Sequence, residues 1–525
     1  MRAPQEAFDL AVASDKAPKQ TSSTRPDHLA ALALLIVGAA LLRATIAGHA
    51  LLSGDEAYYW LWSLKPQLSY FDHPGMVAWW ITATTWAFGT SELTIRLPAI
   101  LSTALVTALV YDCTKIAFDD ARAGLWAALW LNLTILFGAA AVTVTPDSPL
   151  LAFWALALWA LVRLVNSGRP VWLYVLGAAL GLGFDSKYTM TLIAPGIIVA
   201  LAVFPAGRVW WRRVHTWLAI LLAAVATLPV LVWNQHNDWI SFKKQLAHSA
   251  VAVADPLKSL STFVVTQVGV VTPLILAFCL WGMGWALWVG WRERRPDWFV
   301  LGATSAPVLA YFVHRSLGAL VQPHWAGPAY LGAIIATAGA WSRARPPRWL
   351  RWVHSAAPVL AAIMLAGVYV QMSTAMLPLP PRADALSRLG GWDEIAGAVA
   401  RQAAAHPDAF IYVQKHEMNG LLTYYLPGHP KIFLTGSAGA PRLPLYDQTD
   451  VAALAGRSGL FVTRAGGQFY GLEDVARDFA KITLLDSVER KWGGRVIDRY
   501  EIWLTEGYRR GSFGEFETSG EGTQP

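Results

Sequence analysis

Residues 29–60 read LAALALLIVGAALLRATIAGHALLSGDEAYYW, and this stretch decides the architecture. Residues 29–50 are almost wholly apolar and suffice to cross a bilayer, which takes about 20 residues. An acidic pair, Asp55-Glu56, and a run of aromatic side chains follow at once. A cleaved signal peptide is the alternative, since residues 47–50 (AGHA) are small. The late start and the long apolar core favour an uncleaved anchor.

The composition of the whole chain agrees with a membrane protein. Of 525 residues, 55% are hydrophobic and 15% are charged, against about 25% charged in soluble proteins. These values exclude an intrinsically disordered chain and a purely cytosolic enzyme. The net charge of +7 raises nucleic acid as a partner, but the basic residues are dispersed over separate loops, which disfavours it. Cys113 and Cys279 lie in apolar runs and provide neither a disulfide framework nor a zinc site.

Many further apolar segments follow the first one. They lie near residues 95–114, 123–142, 148–162, 171–184, 188–206, 214–233, 262–290, 298–314, 324–341 and 352–371. Residues 75–90 are also apolar but short and aromatic, and whether they cross the bilayer decides the topology of everything after them.

The distribution of basic residues indicates the orientation, because cytoplasmic loops are enriched in Lys and Arg. If residues 75–90 do not cross, one side receives Lys115/Arg122, Arg163/Arg169, Arg208/Arg212/Arg213, Arg292/Arg294/Arg295 and Arg343/Arg345/Arg348/Arg351. If they cross, every one of these clusters faces outward. We therefore predict about 11 transmembrane helices, with the N-terminus inside and the C-terminus outside.

The composition changes at about residue 373. A Pro-rich linker at 376–381 precedes a region in which predicted helices (392–405, 417–425 and 473–481) alternate with predicted strands (409–413, 460–463 and 496–504), a pattern typical of a small α/β domain. The fold class is thus an α-helical polytopic membrane protein with a C-terminal α/β periplasmic domain. The predicted limits are a disordered cytoplasmic tail at 1–27, a membrane domain at 28–372 with a periplasmic first loop at 51–93, the α/β domain at 373–511, and a polar tail at 512–525.

Carboxylates on the outer side are the first candidates for chemistry, because an ionisable group near the membrane is costly and functional by default. Asp55 and Glu56 can supply a general base beside an aromatic platform; alternatively, they cap a helix. Asp147 lies between two prolines in TPDSP (145–149), and it is either a catalytic carboxylate or a helix N-cap.

Other polar residues on the outer side are weaker candidates. Asp72-His73 can bind a metal or a phosphate, or can belong to a Pro-Gly turn. Lys187 and Arg96 can bind phosphate or extend to lipid head groups. His236 and His324 also lie on this side, and each alone is better explained by a structural role.

Three motifs together resemble a known family. A first span followed by Asp55-Glu56, the sequence YFDHP at 70–74 and the sequence TPD at 145–147 are similar to polytopic GT-C glycosyltransferases. Within that family, the chain resembles the branch of the protein O-mannosyltransferases, the lipid A aminoarabinose transferases and the lipid A or core galacturonosyltransferases of the Rgt type. The resemblance covers about residues 28–372, and the motifs cluster within 53–190.

The resemblance implies an enzyme that takes a sugar from a polyprenyl-phosphate donor at the periplasmic face of the inner membrane, with inversion at the anomeric carbon. The expected acceptor is lipid A, lipopolysaccharide core, or another envelope glycolipid or glycan, and membrane lipids are further partners. By motif, Asp55 matches the first acidic position and Asp147 the second, with Glu56 beside them as a third catalytic candidate.

The resemblance also covers Asp72 and His73, which fall where the aminoarabinose transferases have a metal-associated carboxylate and a phosphate-binding lysine. Lys187, Arg96 and His236 are added from their positions on the outer side. His73, Lys187 and Arg96 are the expected ligands of the donor phosphate. Asp72 and His236 are the candidate ligands of a divalent metal, the one candidate cofactor.

Two other classes of function stay open on the sequence alone. A transporter or flippase of lipid-linked or small substrates would show an inverted repeat and charges within opposed spans. A polytopic scaffold would keep its function in the C-terminal domain. We see no repeat, and the acidic residues collect on one side.

Overall fold

The computed structural model describes residues 26–250, 254–380, 384–434, 453–466 and 472–509. The polar tail predicted at 512–525, and all but the end of the tail predicted at 1–27, lie outside these ranges. The chain divides into two compact units. The first comprises residues 1–45, 73–77 and 96–368, and the second comprises residues 46–72, 78–95 and 369–525. The prediction of a mostly helical chain with apolar spans and a small C-terminal sheet is confirmed.

Helices make up the first unit. All or most of each of the following lies in it: α1 (Pro26–His49), α4 (Glu92–Phe118), α5 (Ala121–Leu133), α6 (Ile135–Ala140), α7 (Asp147–Ser167), α8 (Val171–Phe184), α9 (Ala194–Val203), α10 (Pro205–Arg208), α11 (Val214–Ala226), α12 (Leu228–His236), α13 (Ile240–Ala250), α14 (Pro256–Val271), α15 (Pro273–Arg292), α16 (Pro296–Ser316), α17 (Gly327–Arg343) and α18 (Arg348–Thr374). Short 3₁₀ turns at Tyr188–Ile193, Val209–Arg212 and Pro323–Ala326 connect some of them.

Five of the described helices, α1, α4, α7, α15 and α18, are long and apolar enough to cross a membrane. The number rises to seven if two bent pairs each count as one span. The sharper bend, 111°, occurs at Pro205. Phe204 before this proline has extended backbone (ψ 139°), as the proline ring requires of the residue that precedes it. The predicted count of about 11 spans stays a prediction.

Glycines allow the helices of the first unit to approach closely. A Cβ atom at Gly177 of α8 would lie 2.3 Å from the carbonyl oxygen of Ala219 in α11. At Gly181, one turn further along α8, it would lie 2.5 Å from the Cβ of Ala226. Small residues four apart are the usual means of close packing between membrane helices, so this contact depends on both glycines.

The second unit contains α2 (Gly54–Leu64), most of α3 (Met76–Phe88), and the C-terminal elements. These are a 3₁₀ turn at Ala385–Leu389, α19 (Trp392–Ala405), β1 (Phe410–Val413), α20 (His416–Tyr425), β2 (Ile432–Leu434), β3 (Gly459–Arg464), α21 (Leu472–Asp478), β4 (Phe479–Trp492) and β5 (Arg495–Tyr508). The strand order is β2-β1-β3-β5-β4. Strand β1 pairs in parallel with β2 and β3, and β5 pairs antiparallel with β3 and β4.

The sequence prediction for this unit is confirmed in part. The predicted helices at 392–405 and 417–425 and the predicted strands at 409–413, 460–463 and 496–504 are present. The predicted helix at 473–481 is wrong only in its last three residues, since the chain becomes strand β4 at Phe479. Strand β4 turns into β5 through Gly493 and Gly494, which have φ values of 55° and 75°. Two consecutive residues with positive φ form the tight hairpin turn whose twist matches the strands.

Hydrogen bonds within the second unit hold residues 376–380, the described part of the Pro-rich linker. The Gln371 side-chain nitrogen donates to Asp384 Oδ2 at 2.6 Å, and the Trp492 indole donates to the same oxygen at 2.9 Å. The Leu377 N–H donates to Gln371 Oε1 at 2.7 Å, and Arg495 donates to the Leu379 carbonyl oxygen at 3.0 Å. These bonds hold the segment after α18 against the β4–β5 hairpin.

Candidate functional site

A buried ion pair between Asp147 and Lys187 lies at the centre of the polar residues in the first unit. Asp147 is the first residue of α7, and Lys187 precedes the 3₁₀ turn Tyr188–Ile193. The Lys187 ammonium donates to both carboxylate oxygens of Asp147, at 2.9 and 2.8 Å, and both side chains are only 9% exposed. Charges buried to this extent require a partner, and each of these two residues provides one for the other.

Two imidazoles adjoin this pair. His324 Nε2 lies 3.5 Å from Asp147 Oδ2, and its side chain is 46% exposed. The next residue, Trp325, has its ring centroid 5.9 Å from the Lys187 nitrogen, within the range of a cation–π contact. His73 is half-buried, and loss of water together with the nearby Lys187 charge lowers its pKa to about 3. His73 is therefore neutral near pH 7 and offers an N–H group without a charge.

The structure settles several of the alternatives for these residues. The Asp147 carboxylate binds Lys187 and makes no N-cap hydrogen bond, because Pro146 occupies the cap position. Lys187 is buried, so its interpretation as a residue that extends to lipid head groups is wrong. His324 contacts Asp147, although its own segment gave no reason to rank it above a structural histidine.

Asp185 is a second buried carboxylate close in sequence to Lys187. Burial raises its pKa to about 7. Its backbone carbonyl accepts the Met76 N–H at 3.1 Å, which ties the segment after His73 to the end of α8. Within the described ranges, Asp185 Oδ1 has no hydrogen-bond partner. A carboxyl group in this state exchanges its proton near neutral pH.

In the second unit, the packing of α2 against α20 surrounds Asp55. A Cβ atom at Gly54 would lie 2.5 Å from the Cβ of Glu417, and one at Gly420 would lie 2.6 Å from the backbone of Ala57. Both glycines are needed, because any side chain there would force the two helices apart. The Leu52 N–H donates to the Tyr425 hydroxyl at 2.7 Å and fixes the start of α2 to the end of α20.

Groups of both charge signs act on Asp55 at this contact. The Asp55 residue is exposed, although its carboxylate loses part of its hydration. This loss of water raises the pKa of Asp55, and the charge of Glu417 raises it further. Arg388 and His416 act in the opposite direction. The net pKa is above the ordinary value of 3.8, which makes Asp55 a stronger base than an isolated aspartate.

Glu56 completes a capping box at the start of α2. Its Oε2 accepts the Ser53 N–H at 2.9 Å and the Ser53 hydroxyl at 3.0 Å, and the Ser53 hydroxyl accepts the Glu56 N–H at 3.4 Å. A reciprocal cap of this kind satisfies backbone donors that the helix leaves open. The carboxylate of Glu56 therefore has a structural role, while its predicted catalytic role stays a prediction.

The candidate metal ligands have other contacts. Asp72 Oδ2 accepts the Tyr58 hydroxyl at 2.6 Å, and the Tyr58 ring lies 4.4 Å from the His416 ring between centroids. His236 Nδ1 lies 2.7 Å from the Val232 carbonyl oxygen in its own helix. Among the residues with described positions, no group of three or more His, Cys, Asp or Glu side chains could hold a metal ion. Arg96, the third predicted phosphate ligand, is fully buried in α4.

Glu417, His416 and Arg388 are the residues that sequence reasoning missed. The helix at 417–425 was predicted, but nothing in its own pattern marks its first residues as neighbours of Asp55. The local indication in the sequence is a glycine in each helix, Gly54 and Gly420. That these glycines mark a helix crossing follows only from the packing of the two helices.

Comparison with known proteins supports the resemblance. The profile of the dolichyl-phosphate-mannose-protein mannosyltransferase family matches residues 72–233. A lipid A galacturonosyltransferase, RgtD of Rhizobium johnstonii, is 29% identical over 75% of this chain and 82% of the relative. The undecaprenyl phosphate-alpha-4-amino-4-deoxy-L-arabinose arabinosyl transferase of Yersinia pestis is 26% identical over 56% of this chain, a match that spans about half (54%) of that relative.

Solved structures agree on the fold. The crystal structure of ArnT from Cupriavidus metallidurans in the apo state has a TM-score of 0.62 at 17% identity and covers 90% of this chain and 97% of its own. The same protein bound to undecaprenyl phosphate has a TM-score of 0.61 at 18% identity, with the same coverage. The resemblance predicted from the motifs is therefore confirmed: the chain is similar in sequence to glycosyltransferases and shares the fold of ArnT.

Proposed function

We propose that this protein transfers a sugar from a polyprenyl-phosphate donor to lipid A or a related envelope glycolipid. The observation that carries the proposal is the match to the lipid A galacturonosyltransferase RgtD, which extends over 75% of this chain and 82% of the relative. The similarity to an aminoarabinosyl transferase that uses an undecaprenyl-phosphate sugar supports the same class of donor.

The chemistry of the first unit suits the departure of a lipid phosphate. Transfer with inversion forms a bond from the acceptor oxygen to the anomeric carbon and breaks the bond from that carbon to the phosphate oxygen. The phosphate leaves with the electron pair, and nearby cations and N–H donors stabilise its charge. Lys187 supplies a cation, His73 supplies a neutral N–H, and His324 supplies a solvent-exposed imidazole beside Asp147. Arg96 stays in this proposal as a second cation.

Asp55 is the proposed base for the acceptor hydroxyl. A carboxylate whose pKa is raised takes a proton more readily than an ordinary aspartate, provided that it is ionised at the working pH. Asp147 is the second proposed acid residue, and its part is to hold Lys187 in place. Where the acceptor group is itself a phosphate, as on lipid A, proton removal is less necessary and Asp55 would mainly orient it.

The membrane topology is also part of this proposal. We place the donor site and the C-terminal domain on the periplasmic side, with about 11 spans, because this arrangement puts the Arg-rich loops in the cytoplasm. A donor with a long apolar tail is available only from the bilayer, so a site near the outer interface is physically required if the reaction is periplasmic.

The candidate donor sugars are best tested in the order that the similar proteins suggest. A galacturonosyl donor comes first, because the RgtD match covers more of this chain than the aminoarabinosyl match. The experiment compares lipid A from cells with and without the gene by mass spectrometry. A hexuronic acid on lipid A only when the gene is present supports the proposal. Identical lipid A in both strains, under conditions where the protein is present in the membrane, would contradict it.

The role of Asp55 is tested in the same assay with Asp55→Asn, and Asp255→Asn is the matched control. Asp255 caps α14 by accepting the Lys258 N–H at 3.0 Å, and asparagine is an equally good cap. We expect loss of transfer for Asp55→Asn and wild-type transfer for Asp255→Asn. Wild-type transfer by a correctly inserted Asp55→Asn protein would remove Asp55 from the mechanism.

A further inference from the structure

We propose that the C-terminal segment completes the site around Asp55, and that Glu417, at the start of α20 where this helix meets Gly54, is a positioning residue for the Asp55 carboxylate. This inference rests on the proposed function, in which Asp55 accepts a proton from the acceptor hydroxyl. It assigns to the C-terminal segment a part in the reaction, beyond the shaping of a binding surface.

The contact that brings these residues together is built into both helices. Gly54 and Glu417 meet at a distance that leaves no room for a Cβ on the glycine, and Gly420 meets Ala57 in the same way one turn further along α20. Asp55 is the residue after Gly54, so it cannot move away from the N-terminal end of α20 without separation of the helices. The ring of Tyr58 against His416 adds a third contact at the same crossing.

Four charged or titratable groups act electrostatically on the Asp55 carboxylate. Glu417 and Glu56 are acidic and favour the protonated form of Asp55, whereas Arg388 and His416 favour the ionised form. Three of the four, Glu417, Arg388 and His416, come from the C-terminal segment, and Glu417 keeps 41% of its side chain exposed. Since Glu417 and Arg388 act with opposite sign, their removal has opposite effects on the same carboxylate.

The proton balance of the step defines what these residues change. The acceptor hydroxyl gives its proton to Asp55 as its oxygen bonds to the anomeric carbon, and the phosphate leaves with the electrons of the broken bond. Asp55 must then release the proton to water before the next turnover. A higher pKa strengthens Asp55 as a base but raises the pH below which it is protonated and inactive.

The test is the pH profile of kcat/KM for transfer by the full-length protein in lipid nanodiscs, with a polyprenyl-phosphate sugar as donor and lipid A as acceptor. Glu417→Gln removes a negative charge, which lowers the pKa of Asp55, so the acidic limb moves to lower pH. Arg388→Gln removes a positive charge, so the limb moves to higher pH. We expect shifts of about half a pH unit or more, given the strength of a charge interaction near a protein surface. Glu489→Gln, an exposed residue of β4, is the control and leaves the limb unchanged.

Three outcomes of this experiment distinguish the proposed role of Asp55 from the inference about the C-terminal segment. Opposite shifts in the two variants support the inference, and a merely structural role would reduce the rate without such shifts. This inference is overturned if both variants have the same acidic limb in the pH profile as the wild type while Asp55→Asn is inactive. The proposed role of Asp55 would then still stand. Wild-type transfer by Asp55→Asn removes the basis of both. Because Glu417→Gln and Arg388→Gln are independent variants, misfolding of one leaves the other as the test.

Discussion

Lys187 places its ammonium nitrogen 2.9 and 2.8 Å from the two carboxylate oxygens of Asp147, across 40 positions of sequence. The pair joins the start of α7 to the segment after α8, and His324 and His73 adjoin it. It therefore holds together the cationic and N–H groups that we assign to the donor phosphate.

Removal of one member of this pair is expected to destabilise the protein strongly. Lys187→Met leaves the Asp147 carboxylate buried without its cation, at a cost of about 3 to 5 kcal/mol. Thermal unfolding in a mild detergent measures the loss. The double variant Asp147→Leu/Lys187→Met removes both charges and is expected to regain most of the stability while transfer stays abolished. Equal stability of the single variant and the wild type would contradict a buried pair.

The close approach of α2 and α20 predicts that alanine substitutions at two glycines have different effects on stability. Gly420→Ala introduces a Cβ 2.6 Å from the Ala57 backbone, and such overpacking costs about 1 to 3 kcal/mol. Gly397→Ala in α19 meets nothing closer than Arg401 at 3.9 Å, so it gains about 0.5 to 1 kcal/mol from better helix propensity. The melting temperature should fall for the first variant and rise or stay constant for the second. A rise in both would mean that the helices do not approach so closely.

The lowered pKa of His73 predicts a pH dependence of stability. Its pKa falls from 6.5 to about 3 on folding, so the unfolded chain binds more protons between these values. The stabilisation is complete above pH 6.5 and declines as the pH falls toward 3, by at most about 1.4 kcal/mol per pH unit. His73→Gln should therefore lose less stability between pH 7 and pH 5 than the wild type. His236→Gln, which changes an exposed histidine, should behave like the wild type.

The predicted topology can be tested with cysteine labelling. Cys113 and Cys279 are both buried, so they give little background. An impermeant maleimide added to spheroplasts should label Arg499→Cys in the C-terminal domain, and should label Arg294→Cys only after the membrane is permeabilised. Labelling of Arg294→Cys in intact spheroplasts would reverse the orientation that the basic loops indicate.

The sequence sufficed for features that depend on local pattern. Apolar length identified the helices that are able to span a bilayer, and short apolar or alternating runs identified β1, β3 and most of β5. It failed at β4, because charged side chains on both faces of residues 479–492 gave no clear alternation. The Gly493-Gly494 pair is the sequence signal for a hairpin at this position.

The candidate site was predictable only residue by residue. Asp55, Asp147 and Lys187 could be named from their motifs and positions, but their partners come from distant segments. That Lys187 binds Asp147, or that Glu417 packs beside Gly54, depends on how helices pack. No local propensity encodes such a contact, which is why Glu417, His416 and Arg388 were missed.

The most direct measurement is sugar transfer by the purified full-length protein in lipid nanodiscs, with lipid A as acceptor and mass spectrometry as the readout. One reaction contains a polyprenyl-phosphate galacturonic acid donor, and a parallel reaction contains the corresponding nucleotide sugar. We predict a hexuronic acid on lipid A with the lipid-linked donor, none with the nucleotide sugar, and none with Asp55→Asn. Transfer from the nucleotide sugar, or no transfer from any lipid-linked sugar by folded protein, would contradict the proposed function.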